Sequence, residues 1–578
     1  MRPLLIFARR YMVPFWHWYV GGTLALLATN WMSVTIPLYL AEGVDALVST
    51  DDPTSAVARS AVAVGLMGLA VIAVRTLSRV LYFTPGRLVE ARVKRDLFSA
   101  ILRHQPSFLR QWETGDLFSR VSSDVNMLRL LAGFGVLQLV NSVIAIVLAG
   151  GQMLRLSSEL AIWLLGPILV GLVIVQLSIQ HMFVLMRRLQ VELAALSSHI
   201  LASYRGVATV QGFAAEGPFT DVFDTRNEQY LRTMLQRAGI RAGIGPALAV
   251  ATDVNIFLVL FVGGPMVIDG RLTVGELVAF TTLVAFITNP LRSSSFLYSI
   301  VKEAQASLER VEAIQGVPPD RPELPHPAPA PAQAPRLEIR HLTFAYPGSE
   351  DPALHDVSFT VPAGSTVGIL GLTGSGKSTL LALLARLYNP PPGTILVDGT
   401  DLCRLDLDHW RERLTLVPQK AFLFSETLAD NVLLGPPDEE RLARAMRLSA
   451  LEPDLEALPE GTATLVGEAG VRLSGGQRQR TALARGLVRD HTVLLLDDVL
   501  SAVDHATEKE LIGTIRGAGS GSTVTTLLVA HRVSALQHAD QVVVLDEGRV
   551  VDVGRPDELL ARPGLFRDTW QQQQAEGA

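Results

Sequence analysis

Cysteine is almost absent: Cys403 is the only one in 578 residues. One thiol excludes an intramolecular disulfide and any multi-cysteine metal centre. Lysine is nearly as scarce, with Lys94, Lys302, Lys377, Lys420 and Lys509 against 45 arginines, an imbalance that decides nothing about function. Charged residues make up only 18% of the chain and hydrophobic ones 49%, with a mean hydropathy of +0.31. So apolar a chain is not intrinsically disordered. A formal net charge of −6 argues against a nucleic-acid binder that relies on bulk electrostatics. At roughly 100–200 residues per domain, the length allows three or four soluble domains or fewer, larger units.

What the chain does have is long apolar runs, and they are confined to its first 300 residues. A membrane-spanning helix needs about 20 mostly apolar residues. Six stretches meet that, at 13–41, 56–83, 131–153, 159–184, 242–268 and 275–300. The first is too long for a cleaved signal peptide and lacks a small-residue cleavage pattern. Loop charges set the orientation, because Lys and Arg are retained in the cytoplasm. Arg2, Arg9 and Arg10 precede the first stretch, whereas Glu42, Asp45, Asp51 and Asp52 follow it. Arg87, Arg92, Lys94, Arg95, Arg103, Arg110 and Arg120 follow the second, and Arg187, Arg188, Arg205, Arg226, Arg232 and Arg237 the fourth. The outer connections after the third and fifth offer only Arg155 and Arg271. Both termini are therefore expected in the cytoplasm, with the chain passing repeatedly through the cytoplasmic (inner) membrane.

The two basic connections run for about 45 and 55 residues, too long for structureless loops. Segments such as Val89–Leu102 and Val191–Tyr204 read as helices, so both connections are expected to be helical hairpins projecting into the cytoplasm. A Pro-rich stretch, 317–335, then marks a boundary; its composition predicts an extended, semi-rigid spacer that packs no core. The expected division is a transmembrane domain over 1–315, a linker over 316–335 and a nucleotide-binding domain over 336–578.

The nucleotide reading starts at a strand-like Thr366–Leu370. Gly371-Leu-Thr373-Gly374-Ser375-Gly376-Lys377-Ser378-Thr379 follows it and leads into an apolar helical run. This is the phosphate-binding loop in its strand–loop–helix context. Glycines let backbone N–H groups curl around phosphate oxygens, Lys377 reaches the outer phosphates, Ser378 ligates Mg²⁺, and the helix dipole adds positive potential. A second apolar strand, 492–496, ends in Asp497-Asp498. A carboxylate there suits Mg²⁺ coordination, here Asp497, and the next position suits a base orienting the attacking water.

Leu473-Ser474-Gly475-Gly476-Gln477 resembles the signature of ATP-binding cassette (ABC) proteins, and it lies between the phosphate loop and the Asp497 strand as in that family. The resemblance implies further roles. Tyr346 matches the aromatic that stacks on adenine, and Gln419 the loop that senses Mg²⁺ and the membrane domain. Ser501 and Asp504 match the loop that crosses the dimer, His531 the switch histidine near the γ-phosphate, and Glu468 the exporter-specific loop. In the membrane half, Thr114–Asp124, with Gly115 and Asp116, resembles the segment at the first coupling helix. Gly206–Glu216, with Gly212, Phe213 and Glu216, resembles the second. Six spans followed by a cassette resemble an ABC exporter half-transporter (type IV, ABCB-like). The implied fold is an α-helical six-span domain with long cytoplasmic extensions, followed by an α/β P-loop cassette. ATP and Mg²⁺ are the implied cofactors, and hydrolysis drives transport.

One residue departs from the family. Active members carry Glu where this chain has Asp498, whose carboxylate stands about 1 Å back from a water that needs exact placement; such a shift can cost about 100-fold in rate. ABC cassettes close head to tail, each ATP held between one subunit's phosphate loop and the other's signature. An intact signature beside a weakened base is the pattern expected of one half of a heterodimer, with TmrAB-like bacterial pairs and the antigen-processing peptide transporter as similar arrangements. The partner is then a second half-transporter with an intact catalytic Glu. A homodimeric exporter with slow ATPase, an importer on the same fold and an ATP-gated channel remain as other readings.

The transported substrate is expected to be hydrophobic or amphipathic: a drug, lipid or peptide. Polar residues inside spans face a bundle interior or a cavity. They are Asn30, Gln138, Asn141, Gln176, Asp253, Asn255, Asn289 and Arg292, with the last four as the principal cavity candidates. Interhelical hydrogen bonding explains such residues equally well.

Overall fold

The computed structural model describes residues 2–49, 53–317, 326–467, 473–500, 510–513 and 524–576. It divides into two compact units, one of residues 1–102 and 113–317, the other of 103–112 and 318–578.

In the first unit the six apolar stretches fall in α1 (Trp16–Ser49), α2 (Pro53–Arg103), α3 (Val136–Leu156), α4 (Ser158–Arg205), α5 (Glu216–Ile268) and α6 (Val274–Gln315). Among the described residues, five helical runs are long and apolar enough to cross a membrane, and α6 carries a shorter apolar run, Val274–Pro290. Helices α2, α4 and α5 are 51, 48 and 53 residues long. At 1.5 Å per residue each exceeds roughly 70 Å, more than twice the hydrocarbon thickness of about 30 Å, so each continues well past the bilayer. Their ends are set locally. Thr273 and Glu276 form a capping box that opens α6, and Asp45 at the far end of α1 accepts from Gly275 N–H at 2.7 Å. Ser157 caps α4, and Gly206 ends it.

The polar span residues sort by what they touch. Asn30 Nδ2 donates to Asn141 Oδ1 at 3.0 Å, and Gln138 Nε2 to Ser293 Oγ at 2.7 Å. These bonds tie α1 to α3 and α3 to α6, so for these residues interhelical bonding is realised. Asn255 is 1% exposed and donates to its own helix at Ala251 O, while Asp253 and Asn289 are exposed.

The extensions of α4 and α5 lie side by side. Thr233 Oγ1 donates to Glu192 Oε1 at 3.0 Å, Arg226 Nη1 to Ala195 O at 2.8 Å, and His199 stacks on Phe219. A short helix, Val207–Gly212, closes their turn, followed by Phe213 at 82% exposed and by Glu216 in the first turn of α5. The first hairpin does not turn at the matched segment Thr114–Asp124. Its turn is Arg103–Trp112, with a helix over Pro106–Arg110, and this segment belongs to the second compact unit. Gly115 and Asp116 come after the turn, on the returning arm, where Asp116 pairs with the buried Arg120. The matched segment is rich in small and polar residues, but Pro106 is what breaks α2 and forms the turn.

In the second unit a four-stranded antiparallel sheet is ordered β2 (Leu354–Val361), β1 (Leu337–Phe344), β4 (Ile395–Val397), β5 (Thr400–Asp401). A six-stranded sheet runs β10 (Arg549–Gly554), β9 (Gln541–Asp546), β3 (Thr366–Gly371), β8 (Thr525–Val529), β7 (Val493–Asp497), β6 (Leu414–Val417). All its pairs are parallel except β10–β9. Strands β3, β7 and β8 are buried along their whole length, as a parallel sheet covered on both faces requires. Helix α7 (Lys377–Leu384) and α8 (Leu407–Arg413) cover one side, with Trp410 fully buried among Leu380, Leu384 and Leu405.

Residues 326–335, the described part of the Pro-rich stretch, depart from the expectation of a spacer that packs no core. Ala328 N–H donates to Arg404 O at 2.9 Å, Asp406 N–H donates to Ala328 O at 2.8 Å, and Ala328 and Ala330 pack on the cassette core. Proline cannot donate a hydrogen bond, but it holds the chain extended, so the alanines between prolines pair at little entropic cost.

Candidate functional site: the ends of the parallel strands

Four neighbouring strands of the parallel sheet deliver their carboxyl ends to one edge. Strand β3 ends at Gly371 and enters the phosphate loop; β7 ends at Asp497 opposite Val529 of β8, which leads to His531; β6 ends at Val417 opposite Leu496 and leads to Gln419. In open α/β sheets, this edge is where ligands bind.

The loop's glycines are required by geometry. Gly376 has φ +93°, and a Cβ there would meet Leu354 at 2.6 Å and Ala353 O at 2.7 Å. A Cβ at Gly371 would meet Leu545 O and Ser375 Oγ. Lys377 is 6% exposed and folds back across the loop: Nζ donates to Gly371 O at 2.8 Å, Leu372 O at 2.7 Å and Ser375 Oγ at 3.2 Å. Burial lowers its pKa, opposed by the charges of Asp497 and Asp498. Burial raises that of Asp497, opposed by a hydrogen bond from Ser378. Thr379 bonds the hydroxyl of Tyr346 at 3.0 Å, and Tyr346 stands edge-on to Phe344 and Tyr388. Thr373 and Gly374 complete the loop, Gly374 at φ +89°.

Asp498 is 6% exposed with φ +52°, a left-handed conformation that Asp tolerates better than most side chains. Gln419 Nε2 donates to its Oδ2 at 3.2 Å, and His531 Nε2 lies 3.9 Å from the same oxygen. Lys377, Ser378, Asp497, Asp498, Gln419 and His531 thus converge. Ser378 and Asp497 supply hard oxygens beside a lysine, a donor set that fits Mg²⁺, which keeps most of its waters and needs few protein ligands.

The signature forms a separate feature. Ser474 caps α9 (Gly475–Leu487) in a capping box with Gln477, and Gln477 and Arg480 both hold Asp454. A Cβ at Gly475 would meet nothing within 4 Å among the described residues. Among the described residues, the hydrogen bonds of Ser474 and Gln477 run within the helix and to Asp454, not to the phosphate loop. Leu473 is buried and Gly476 lies in the first turn. Glu468, Ser501 and Asp504 lie outside the described residues, as does the side chain of Arg292. Two contributors carried no spacing signal. Arg485 of α9 donates to Phe422 O at 2.8 Å and Asn431 O at 2.7 Å, and Asn431, fully buried, holds Phe424; together they fix the segment after Gln419.

Residues 19–291 match the ABC transporter transmembrane region and residues 354–501 match the ABC transporter family. The multidrug resistance-like ATP-binding protein MdlA of Escherichia coli (strain K12) is 31% identical over 572 residues, 97% of this chain and 95% of that protein. The chain belongs to the ABC transporter family. An ATP-dependent lipid A-core flippase of Alkalilimnicola ehrlichii is 32% identical over 489 residues, 82% or more of either protein. The solved structure of a bacterial Atm1-family ABC exporter with ATP bound superimposes with a TM-score of 0.80 at 25% identity, covering 96% of this chain and 99% of that one. The protein is a multi-pass ABC exporter whose cassette binds ATP and couples its hydrolysis to transport.

Proposed function

We propose that this ABC exporter is one half of a heterodimeric pump in the cytoplasmic membrane, with both termini and the cassette in the cytoplasm. It moves a hydrophobic or amphipathic substrate outward and retains ATP at its own site without hydrolysing it well. The single observation that carries the reading is Asp498: a short carboxylate, in a left-handed backbone conformation, drawn onto Gln419 Nε2. Glu would reach one methylene further toward an attacking water. The remaining ATP machinery is intact, so binding is retained while the water-orienting step is weak.

Lys377 releases the loop carbonyls and turns to the phosphates, the loop N–H groups cradle them, and Tyr346 supports the base. Bound Mg²⁺, held by Ser378 and Asp497 with Gln419 alongside, would supply positive charge against the transferring phosphoryl oxygens. Gln419 leaves Asp498 to do so, and His531 contacts the terminal phosphate. The start of α9 at Leu473–Gln477 serves the partner's ATP, whose catalytic Glu carries most of the turnover. The exposed apolar tip around Phe213 supports docking on a partner cassette; beside it a groove of about 380 Å³ is lined by Tyr204, Val207, Val210, Phe219 and Phe223. The relatives' names, multidrug resistance-like and lipid A-core flippase, support an apolar cargo.

Asp498→Glu in the assembled transporter is expected to raise hydrolysis at this site about tenfold. The readout is ATPase rate with the partner's catalytic Glu changed to Gln. No increase would sink the Asp498 reading, and full activity of the chain purified alone would sink the heterodimer.

A further inference from the structure

The last described helix of the cassette, α11 (Leu565–Glu576), packs one face against a buried cluster that includes Leu370, Leu528 and Val544. Phe566 is 1% exposed, and Leu565 and Trp570 lie against the same cluster as Val533 and Leu536 of α10 (Val533–Leu536). Gln573 comes three residues after Trp570 and seven after Phe566, so it occupies that buried face rather than the outer one. Both ends of its amide are used on one short segment. Oε1 accepts from Val533 N–H at 3.0 Å, and Nε2 donates to His531 carbonyl at 2.7 Å. Arg532, at the N-cap of α10, has no acceptor to offer the helix start, so Gln573 supplies it from another element.

The imidazole of His531 needs such support. It is about a third exposed and borders a cavity of about 180 Å³, also lined by Gly371, Leu372, Thr569 and Gln573, so one side of the ring faces open space. Its Nε2 lies 3.9 Å from Asp498 Oδ2, and its backbone is gripped on either side of Arg532 by one amide. We propose that Gln573 is the positioning residue for His531: a two-point clamp through which the C-terminal helix sets the switch histidine against the phosphate loop. The clamp rests on the assignment of His531 to the terminal phosphate. It makes the final helix part of the hydrolytic machinery.

The test uses the assembled full-length transporter carrying Asp498→Glu, in which this chain's site is expected to turn over. Adding Gln573→Ala lowers kcat for ATP about tenfold with KM within about twofold, and costs nothing further on top of His531→Ala. Gln573→Glu gives a signature that a purely structural role would not: relative to the parent at the same pH, its activity rises as pH falls, because the protonated carboxyl regains a donor for His531 carbonyl. Thr569→Val, on the same helix and cavity but off the clamp, keeps the parent rate. Amide exchange at Val533 accelerates about tenfold in Gln573→Ala while β8 is unchanged. An unchanged kcat, a loss shared equally with KM, full additivity with His531→Ala, or unaltered exchange at Val533 overturns the proposal. If Asp498→Glu alone leaves turnover unchanged, the Asp498 reading fails by itself. The clamp is then judged by Val533 exchange, which Gln573→Ala still accelerates about tenfold if the amide grips that segment and leaves unchanged if it does not.

Discussion

Replacing Lys377 with Met is expected to weaken ATP binding at this site by about 100-fold or more while changing nucleotide-free stability by no more than about 1 kcal/mol. The two halves of that expectation have different physical origins. ATP brings several negative charges to a loop whose nearest positive side chain is Lys377, and charge-assisted contacts with phosphate are the strong ones. Without nucleotide, the same ammonium is a cost as well as a contact. It is 6% exposed, burial lowers its pKa, and its proton donors are spent on Gly371 O, Leu372 O and Ser375 Oγ. Removing it frees the chain of a buried charge and leaves two carbonyls short of a donor, and these terms oppose one another. Met keeps the stem's volume, so no cavity opens. Thermal unfolding without nucleotide, set beside ATP photolabelling of this chain, separates the terms. A large drop in unfolding temperature would show that Lys377 braces the loop more than it binds phosphate.

How much of this was legible in the sequence follows from the range of the interactions. Six apolar runs, the phosphate loop and the Asp497 strand were readable because each is a local pattern: length, glycine spacing, or a carboxylate closing an apolar strand. The long basic connections were readable as helices because helical periodicity is local too. The turn of the first hairpin was not legible, because a segment match ignores which residue breaks the helix, and Pro106 sits before the matched Thr114–Asp124. Over residues 326–335 of the Pro-rich stretch the expectation failed because composition describes the unpaired chain. Its partners, Arg404 and Asp406, are some 75 residues away in sequence and become neighbours only when β4 and β5 fold. Arg485, Asn431 and Gln573 were missed for the same reason. Gln573 left one trace, a polar residue at the buried spacing after Phe566 and Trp570, and only the folded chain shows what it holds. Asp498 was visible as a departure from a family pattern, but its left-handed backbone and its bond to Gln419 were not.

Trp410→Ala should destabilise the cassette by about 3–5 kcal/mol, with the damage concentrated at the phosphate-loop helix. Trp410 is fully buried beside Leu380, Leu384, Leu402 and Leu405, so truncation leaves a large cavity in the core that backs the loop. Its indole Nε1 also donates to Leu384 O at 2.9 Å, the last residue of α7, where a carbonyl has no partner within its own helix. Two variants separate these contributions. Trp410→Phe restores most of the volume but not the donor, and is expected to cost about 1–3 kcal/mol for a buried carbonyl left unpaired. Trp410→Ala adds the cavity. Hydrogen exchange of the α7 amides should accelerate in the order native, Phe, Ala, while the membrane helices keep their native protection. ATP affinity should fall in the same order, because α7 presents Lys377 and Ser378 from its first turn and any loosening of its far end moves both. Equal exchange in α7 for the Phe and Ala variants would mean that the hydrogen bond, not the packing, anchors the helix.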